Sequence, residues 1–229
     1  MMFRAFASDF DGTLAFSGKV AVSTLHALTR LKATGCKLIL VTGRELEDAY
    51  RVFAEIGCFD LLVLENGGLL YDPSTHREKV LGAAPLTRFT DALRRAGVAP
   101  LSVGRCVVAT LRVYEADVVR VIREYGLDLR LIHNNESLMI LPHGIDKGSG
   151  LRAALREFGI SSADALGIGD AENDRELLLS CGFGVAVANA TSELKSMAHL
   201  TTKASYGEGV IEVIERLIIK NSLRTQSLA

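Results

Sequence analysis

The stretch Phe6–Phe16, FASDFDGTLAF, sets Asp9 and Asp11 one residue apart at the end of an apolar run. The run FRAFASDF has the texture of a strand covered on both faces, and a strand of that kind delivers whatever follows it to the edge of a sheet. Two carboxylates about 5 Å apart at an effective dielectric near 20 repel by roughly 3 kcal/mol, so gathering them calls for a compensating charge. Taken alone, DFDG also suits a helix cap. An EF-hand loop is excluded, because no third ligand precedes Gly12.

Working outward, short apolar runs alternate with helical patterns. In VSTLHALTRLKATG, Val22, Leu25, Leu28 and Leu31 recur at the spacing of one helix face, with Ser23 to cap it and Gly35 to stop it. The runs KLILV and LLVL are apolar on consecutive residues, as in parallel strands buried between helices. The alternation returns in GLRAALREFG, ALGIGDA, ENDRELLLSCG, FGVAVAN and GVIEVIERLII. Between the halves the order becomes helix, two strands, helix, two strands. The expected fold is α/β, a Rossmann-like parallel-sheet core with an inserted small α+β unit. Residues 1–79 and 144–229 would form the core and 80–143 the insert.

Composition narrows the function. Among 229 residues, 26 basic and 27 acidic side chains nearly cancel, so no field for a polyanion arises and nucleic acid is not an expected partner. There is no apolar run of about 18 residues and no signal-peptide pattern, so the chain reads as cytoplasmic, with no membrane partner. Cys36, Cys58, Cys106 and Cys181 form no CxxC pair and read as buried thiols. His26, His76, His133, His143 and His199 form no ligand-spaced pair. Gly167 and Gly169 lack the third glycine of a dinucleotide fingerprint.

Asp9, Asp11, Thr42, Lys147, Asp170 and Asp174 all fall at or just beyond the carboxyl ends of expected core strands. In an open parallel sheet those ends share one edge, where ligands bind. A cluster of carboxylates there implies a cation, and all-oxygen ligands imply Mg²⁺.

These residues resemble a known family. DFDGTL at Asp9–Leu14, VTGR at Val41–Arg44, Lys147 within GIDKGSGL and GDAEND at Gly169–Asp174 are similar to the four motifs of the haloacid-dehalogenase superfamily. ENGG at Glu65–Gly68, the late lysine, VANATSELKSMA and YGEGV resemble its Cof-type branch, subfamily IIB, which carries a C2B cap. The likeness runs from Ala5 to about Leu217, with the cap supported only by its order of elements. His199 stands where the family usually has an acidic residue, and Glu208 where an aspartate is common.

The resemblance implies a Mg²⁺-dependent phosphatase. Asp9 would be the nucleophile forming an aspartyl-phosphate, and Asp11 the general acid and then base. Asp9, the Asp11 carbonyl, Asp170 and Asp174 would hold the metal. Thr42, Gly43, Lys147 and Asn173 would bind phosphate or brace the site, and Arg44 is as suited to a surface ion pair as to substrate. The cap would choose the substrate. In RCVVATLRV, alternation sets Cys106, Val108, Thr110 and Arg112 on one face and Arg105, Val107, Ala109 and Leu111 on the other. Arg112 and Arg130 are the candidates to hold a second anionic group. A small phosphorylated acid or sugar fits a cap of this size; a related phosphomutase and a non-catalytic phospho-ligand module remain alternatives, and the oligomeric state is open.

Overall fold

A computed structural model of the chain describes residues 3–134 and 136–226. Its first half runs β1 (Ala5–Ser8), α1 (Val22–Ala33), β2 (Lys37–Val41), α2 (Leu46–Val52), β3 (Leu61–Leu64), β4 (Leu69–Asp72) and β5 (Arg77–Val80). After an inserted unit follow α5 (Lys147–Glu157), β10 (Ala165–Gly169), α6 (Arg175–Leu179), β11 (Phe183–Ala186), α7 (Ser192–Met197), β12 (Leu200–Thr201) and α8 (Tyr206–Gln226).

The described strands of these segments form one sheet in the order β12-β11-β10-β1-β2-β3-β4-β5. β12 through β3 are parallel, and Ala5 of β1 pairs with Lys37 on one side and Ala165 on the other. Every residue of β1, β3 and β10 is buried, which accounts for their unbroken apolar sequences. α1 packs against α8, and α5 against α6 and β3. The strand order reverses beside β1, so the carboxyl end of β1 opens at the switch point of the sheet.

One feature of this sheet has no counterpart in the sequence reading. β4 and β5 pair antiparallel to extend it, with Leu64 facing Leu69 and Leu69 facing Val80. β5, REKV, is exposed throughout, and its charges discourage further strand pairing at the edge.

The inserted unit holds α3 (Thr87–Arg95), β6 (Ser102–Val103), β7 (Val108–Leu111), α4 (Glu115–Glu124), β8 (Leu129–Asn134) and β9 (Ser137–Pro142). Its four strands form a separate antiparallel sheet, β6-β7-β9-β8. Phe89, Leu93, Val118 and Val121 from the helices meet Val108, Leu138 and Ile140 in a core of their own. Val107, Ile132, Leu141 and Met139 gather in a second, smaller cluster with Ile145. Among the described residues no helix is long and apolar enough to cross a membrane.

Candidate active site

β1 ends by handing its ladder on to Asp9, whose amide donates to the Ile168 carbonyl at 3.0 Å. The chain then turns through Phe10–Ala15, closed by the Gly12 amide on the Ala15 carbonyl at 3.1 Å. Gly12 adopts φ +84°, and a Cβ on it would lie 2.2 Å from Oδ2 of Asp170. The glycine serves both the left-handed turn and the close approach of a carboxylate. Thr13 donates its hydroxyl to Oδ1 of Asp170 at 2.9 Å.

Asp170 follows the last residue of β10, and the chain curls at once so that Oδ2 of Asp174 accepts from the amides of Asp170 at 2.9 Å and Ala171 at 3.1 Å. Lys147 enters as the first residue of α5. Asp146 caps that helix, accepting from the Ser149 amide at 2.7 Å while its own amide donates to the Ser149 hydroxyl at 2.9 Å. The Lys147 ammonium thus reaches Oδ1 of Asp9 at 2.7 Å and Oδ1 of Asp174 at 2.6 Å, with all three side chains buried.

The electrostatics follow from that packing. Burial, with Asp174 next, holds Asp9 well above the ordinary carboxylate range. Burial and then Asp174 push Asp170 up to about 6. For Lys147, burial favours the neutral amine, but Asp174 and Asp9 outweigh it and hold the ammonium above its usual value. One cation therefore faces three acids. Asp9, Asp170 and Asp174 each offer a carboxylate oxygen, and these lie within 4.8 Å of one another. Among the described residues, Oδ2 of Asp9 is buried with no hydrogen-bond partner. A hard divalent cation fits this set, since it would satisfy the orphaned oxygen and the excess charge together.

Asp11 lies outside this knot. Its carboxylate takes a two-pronged contact from Arg44, Nε to Oδ2 and Nη2 to Oδ1, both 2.7 Å, and Arg44 also pairs with Asp48. The hydrogen bonds to Asp11 hold the Arg44 guanidinium above its ordinary value against burial. Arg44 thus sits in an ion-pair network with Asp11 and Asp48 at the border of the cleft. Thr42, just past β2, is buried and accepts from the Arg44 amide at 3.2 Å.

Asp9, Asp11, Thr42, Gly43, Arg44, Asp170 and Asn173 all border one cleft of about 1200 Å³, whose far wall includes Ser102, Val107, Ala109, Ser137 and Met139 of the inserted unit. Gly43 lies so close beneath Met139 that a Cβ would come 2.9 Å from its methyl carbon. The two arginines expected on that wall are elsewhere. Alternation along β7 turns Val107 and Ala109 to the cleft and Val108 to the helices, so Arg112 belongs to the wrong face and sits exposed in the turn after the strand. Arg130 pairs across from Leu141, near the end of β9, and donates to Asp146 at 3.1 Å. Neither borders the cleft.

Among the described residues no histidine borders it either: His199 accepts from the Gly184 amide at 3.0 Å and stacks on Phe183. Asn189 is a cleft residue that sequence reasoning left without a role. It donates to the Gly12 carbonyl at 2.8 Å and accepts from the Tyr206 amide at 2.8 Å, tying the aspartate turn to the start of α8. Its position in VANA, directly after an apolar strand, was the available signal.

Acids steadied by a buried ammonium at the carboxyl edge of a Rossmann-like sheet define an α/β protein whose site suits a cation and an anionic ligand. The family model for haloacid dehalogenase-like hydrolases matches residues 6–95 and 120–214, and the chain belongs to that family. A phosphoglycolate phosphatase of Methanothermobacter thermautotrophicus is 33% identical over 224 residues, covering 94% of this chain and 99% of that one. Another, from Archaeoglobus fulgidus, is 30% identical over 218 residues, covering 93% and 96%. Among solved structures, a haloacid dehalogenase-like hydrolase from Bacteroides thetaiotaomicron superposes with a TM-score of 0.78 at 20% identity, covering 94% of this chain and 99% of that one. A subclass IIB sugar phosphatase of the superfamily gives 0.79 at 19%, with 94% and 99% covered.

Proposed function

We propose that this chain is a Mg²⁺-dependent phosphatase of small phosphorylated metabolites, a phosphoglycolate-like acid or a sugar phosphate, acting through an aspartyl-phosphate on Asp9. The observation that carries the reading is the division of labour on Asp9: Oδ1 is fixed by Lys147 at 2.7 Å, while Oδ2 is buried and unpartnered. One oxygen is oriented and the other is left to react or to ligate. The relatives named above as phosphoglycolate phosphatases, aligned over nearly the full length of the chain, favour the same chemistry.

Asp9, Asp170, Asp174 and the Asp11 carbonyl would hold Mg²⁺, which supplies charge neutralisation for the phosphoryl group and for the carboxylates around it. An Asp9 oxygen attacks phosphorus, the bond to the leaving oxygen breaks, and Asp11 gives that oxygen its proton. Water then attacks the phosphorus of the aspartyl-phosphate, Asp11 takes the water's proton, and phosphate and free Asp9 result. Thr42 and Lys147 orient the phosphoryl oxygens, with the Gly43 amide beside them and Asn173 bracing the site. Arg44 holds both oxygens of Asp11 at 2.7 Å, so at least one of these bonds gives way when that carboxylate takes a proton.

The inserted unit, which begins after Val80 at the end of β5 rather than at residue 80, serves as the cap, with Val107, Ala109 and Met139 forming a mostly apolar roof over the phosphate site. A panel of phosphorylated metabolites assayed for free phosphate tests the reading. Mg²⁺-dependent release from phosphoglycolate or a sugar phosphate supports it. Phosphate moved within the substrate, or binding without turnover, overturns it.

A further inference from the structure

Glu65, at the end of β3, is fully buried and adopts φ +53°, a left-handed conformation uncommon for a residue with a side chain. Its carboxylate reaches out of the core into the segment leading to β7. Oε1 accepts from the Arg105 amide at 2.9 Å, and Oε2 accepts from the amides of Cys106 at 2.8 Å and Val107 at 3.0 Å. Three consecutive amides wrapped on one carboxylate form an anion nest, and their hydrogen bonds are charge-assisted. The Arg105 side chain is engaged elsewhere, with Glu47 at 2.8 Å and Glu78 at 3.2 Å, and the three amides of 105–107 are held by the Glu65 carboxylate. Gly104 leaves room for it: a Cβ there would stand 2.6 Å from Oε1.

The other side of the same turn is bound to the catalytic edge. The Glu65 amide donates to the Arg44 carbonyl at 3.0 Å, and the Asn66 amide to the Thr42 carbonyl at 3.0 Å. One residue therefore joins the turn bearing Thr42 and Arg44 to Val107 and the strand β7 that follows it, on facing walls of one cleft.

We propose that Glu65 is a positioning residue that sets the roof of the cleft, fixing through the 105–107 amides how far β7 stands from the phosphate site and thereby which leaving groups fit. The proposal rests on the phosphatase reading for its kinetic consequence, but its structural half does not.

Glu65→Gln in the full chain tests both halves, because an amide replaces one accepting oxygen with donors that face the nest's own N–H groups. Cys106 is the internal reporter. It is buried, and its sulfur packs 3.1 Å from the Cβ position of Gly68. With the anchor lost, alkylation of Cys106, followed by peptide mass, should rise about 10-fold while Cys36 and Cys181 in the main core stay protected. The KM for phosphoglycolate or the best metabolite should rise about 10-fold, with kcat for p-nitrophenyl phosphate kept within about 2-fold. Gly104→Ala, which crowds the same carboxylate from the other side, should give the same pattern and serves if Glu65→Gln does not fold. Unchanged Cys106 protection, or a lower Tm with the metabolite KM unmoved, would overturn the proposal. Should no phosphate ester be turned over by the wild-type chain, the function fails on its own account and Cys106 alone decides the anchor.

Discussion

Asp9 and Asp11 stand one residue apart yet occupy different electrostatic worlds: Asp9 is buried against Lys147, while Asp11 lies partly open and gripped by Arg44. Their substitutions should separate accordingly. Asp9→Asn should lower turnover of every substrate by roughly 10³-fold or more, because an amide cannot form the acyl-phosphate. Asp11→Asn should cost the first step roughly 10²–10⁴-fold for an alkyl phosphate and far less for p-nitrophenyl phosphate, whose leaving group needs no proton. Single-turnover kinetics is the measurement, and equal losses would remove the acid role from Asp11. Asp170 offers a test in pH. Its carboxyl is raised from 3.8 to about 6 on folding, so the native state binds the proton more tightly and stability is lost as pH rises through that window. In EDTA, the Tm of Asp170→Asn should therefore climb relative to wild type between pH about 4 and 6. Saturating Mg²⁺ at pH 7 should reverse the order, because the variant has lost a ligand; an unchanged difference would show that Asp170 is not strained by the cluster.

At the scale of elements, the turns carry the constraint. Gly12→Ala would place a methyl 2.2 Å from Asp170 Oδ2 in a left-handed turn, and Gly67→Ala would place one 2.0 Å from the Asp146 carbonyl at φ +103°. Each should destabilise the fold by roughly 1–3 kcal/mol in urea denaturation. Gly12→Ala should also weaken Mg²⁺ binding, whereas Gly67→Ala should not. The β1, β2 and β3 strands and α1 were legible in the sequence because each buries a periodic or unbroken apolar pattern. The aspartates and Thr42 were legible because strand ends in a parallel sheet share an edge, whereas Lys147, expected at a core strand end, enters from the first position of α5, after the inserted unit. What escaped depends on register and long-range contact. β4–β5 mixes LLYD with REKV, and nothing local says that an exposed charged run will pair. The orientation of Arg112 turns on where β7 stops, and the grip of Arg44 on Asp11 joins residues 33 positions apart. Glu65 reads locally as a turn residue, since its partners lie 40–42 positions downstream.

For the molecule as a whole, near-neutrality conceals an uneven distribution. The cleft is bordered by Asp9, Asp11, Glu45, Glu47, Asp48, Glu136, Asp170 and Glu172, with Arg44 and Arg51 as the bordering cations. Such a surface repels a phosphate dianion until the acid cluster is neutralised, so metal should bind before substrate. Calorimetry should find Mg²⁺ binding to the free protein and orthophosphate binding only when Mg²⁺ is present. Orthophosphate binding equally well in EDTA would refute that order. The inserted unit leaves the main sheet after β5 and returns beside its point of departure, with Gly82 packed against Ile145. In evolutionary terms this is a socket: with exit and entry already side by side, a lineage can lengthen, shorten or exchange the intervening module at little cost in chain entropy. Such an exchange would alter the wall facing the cleft while leaving the sheet edge that bears Asp9 in place.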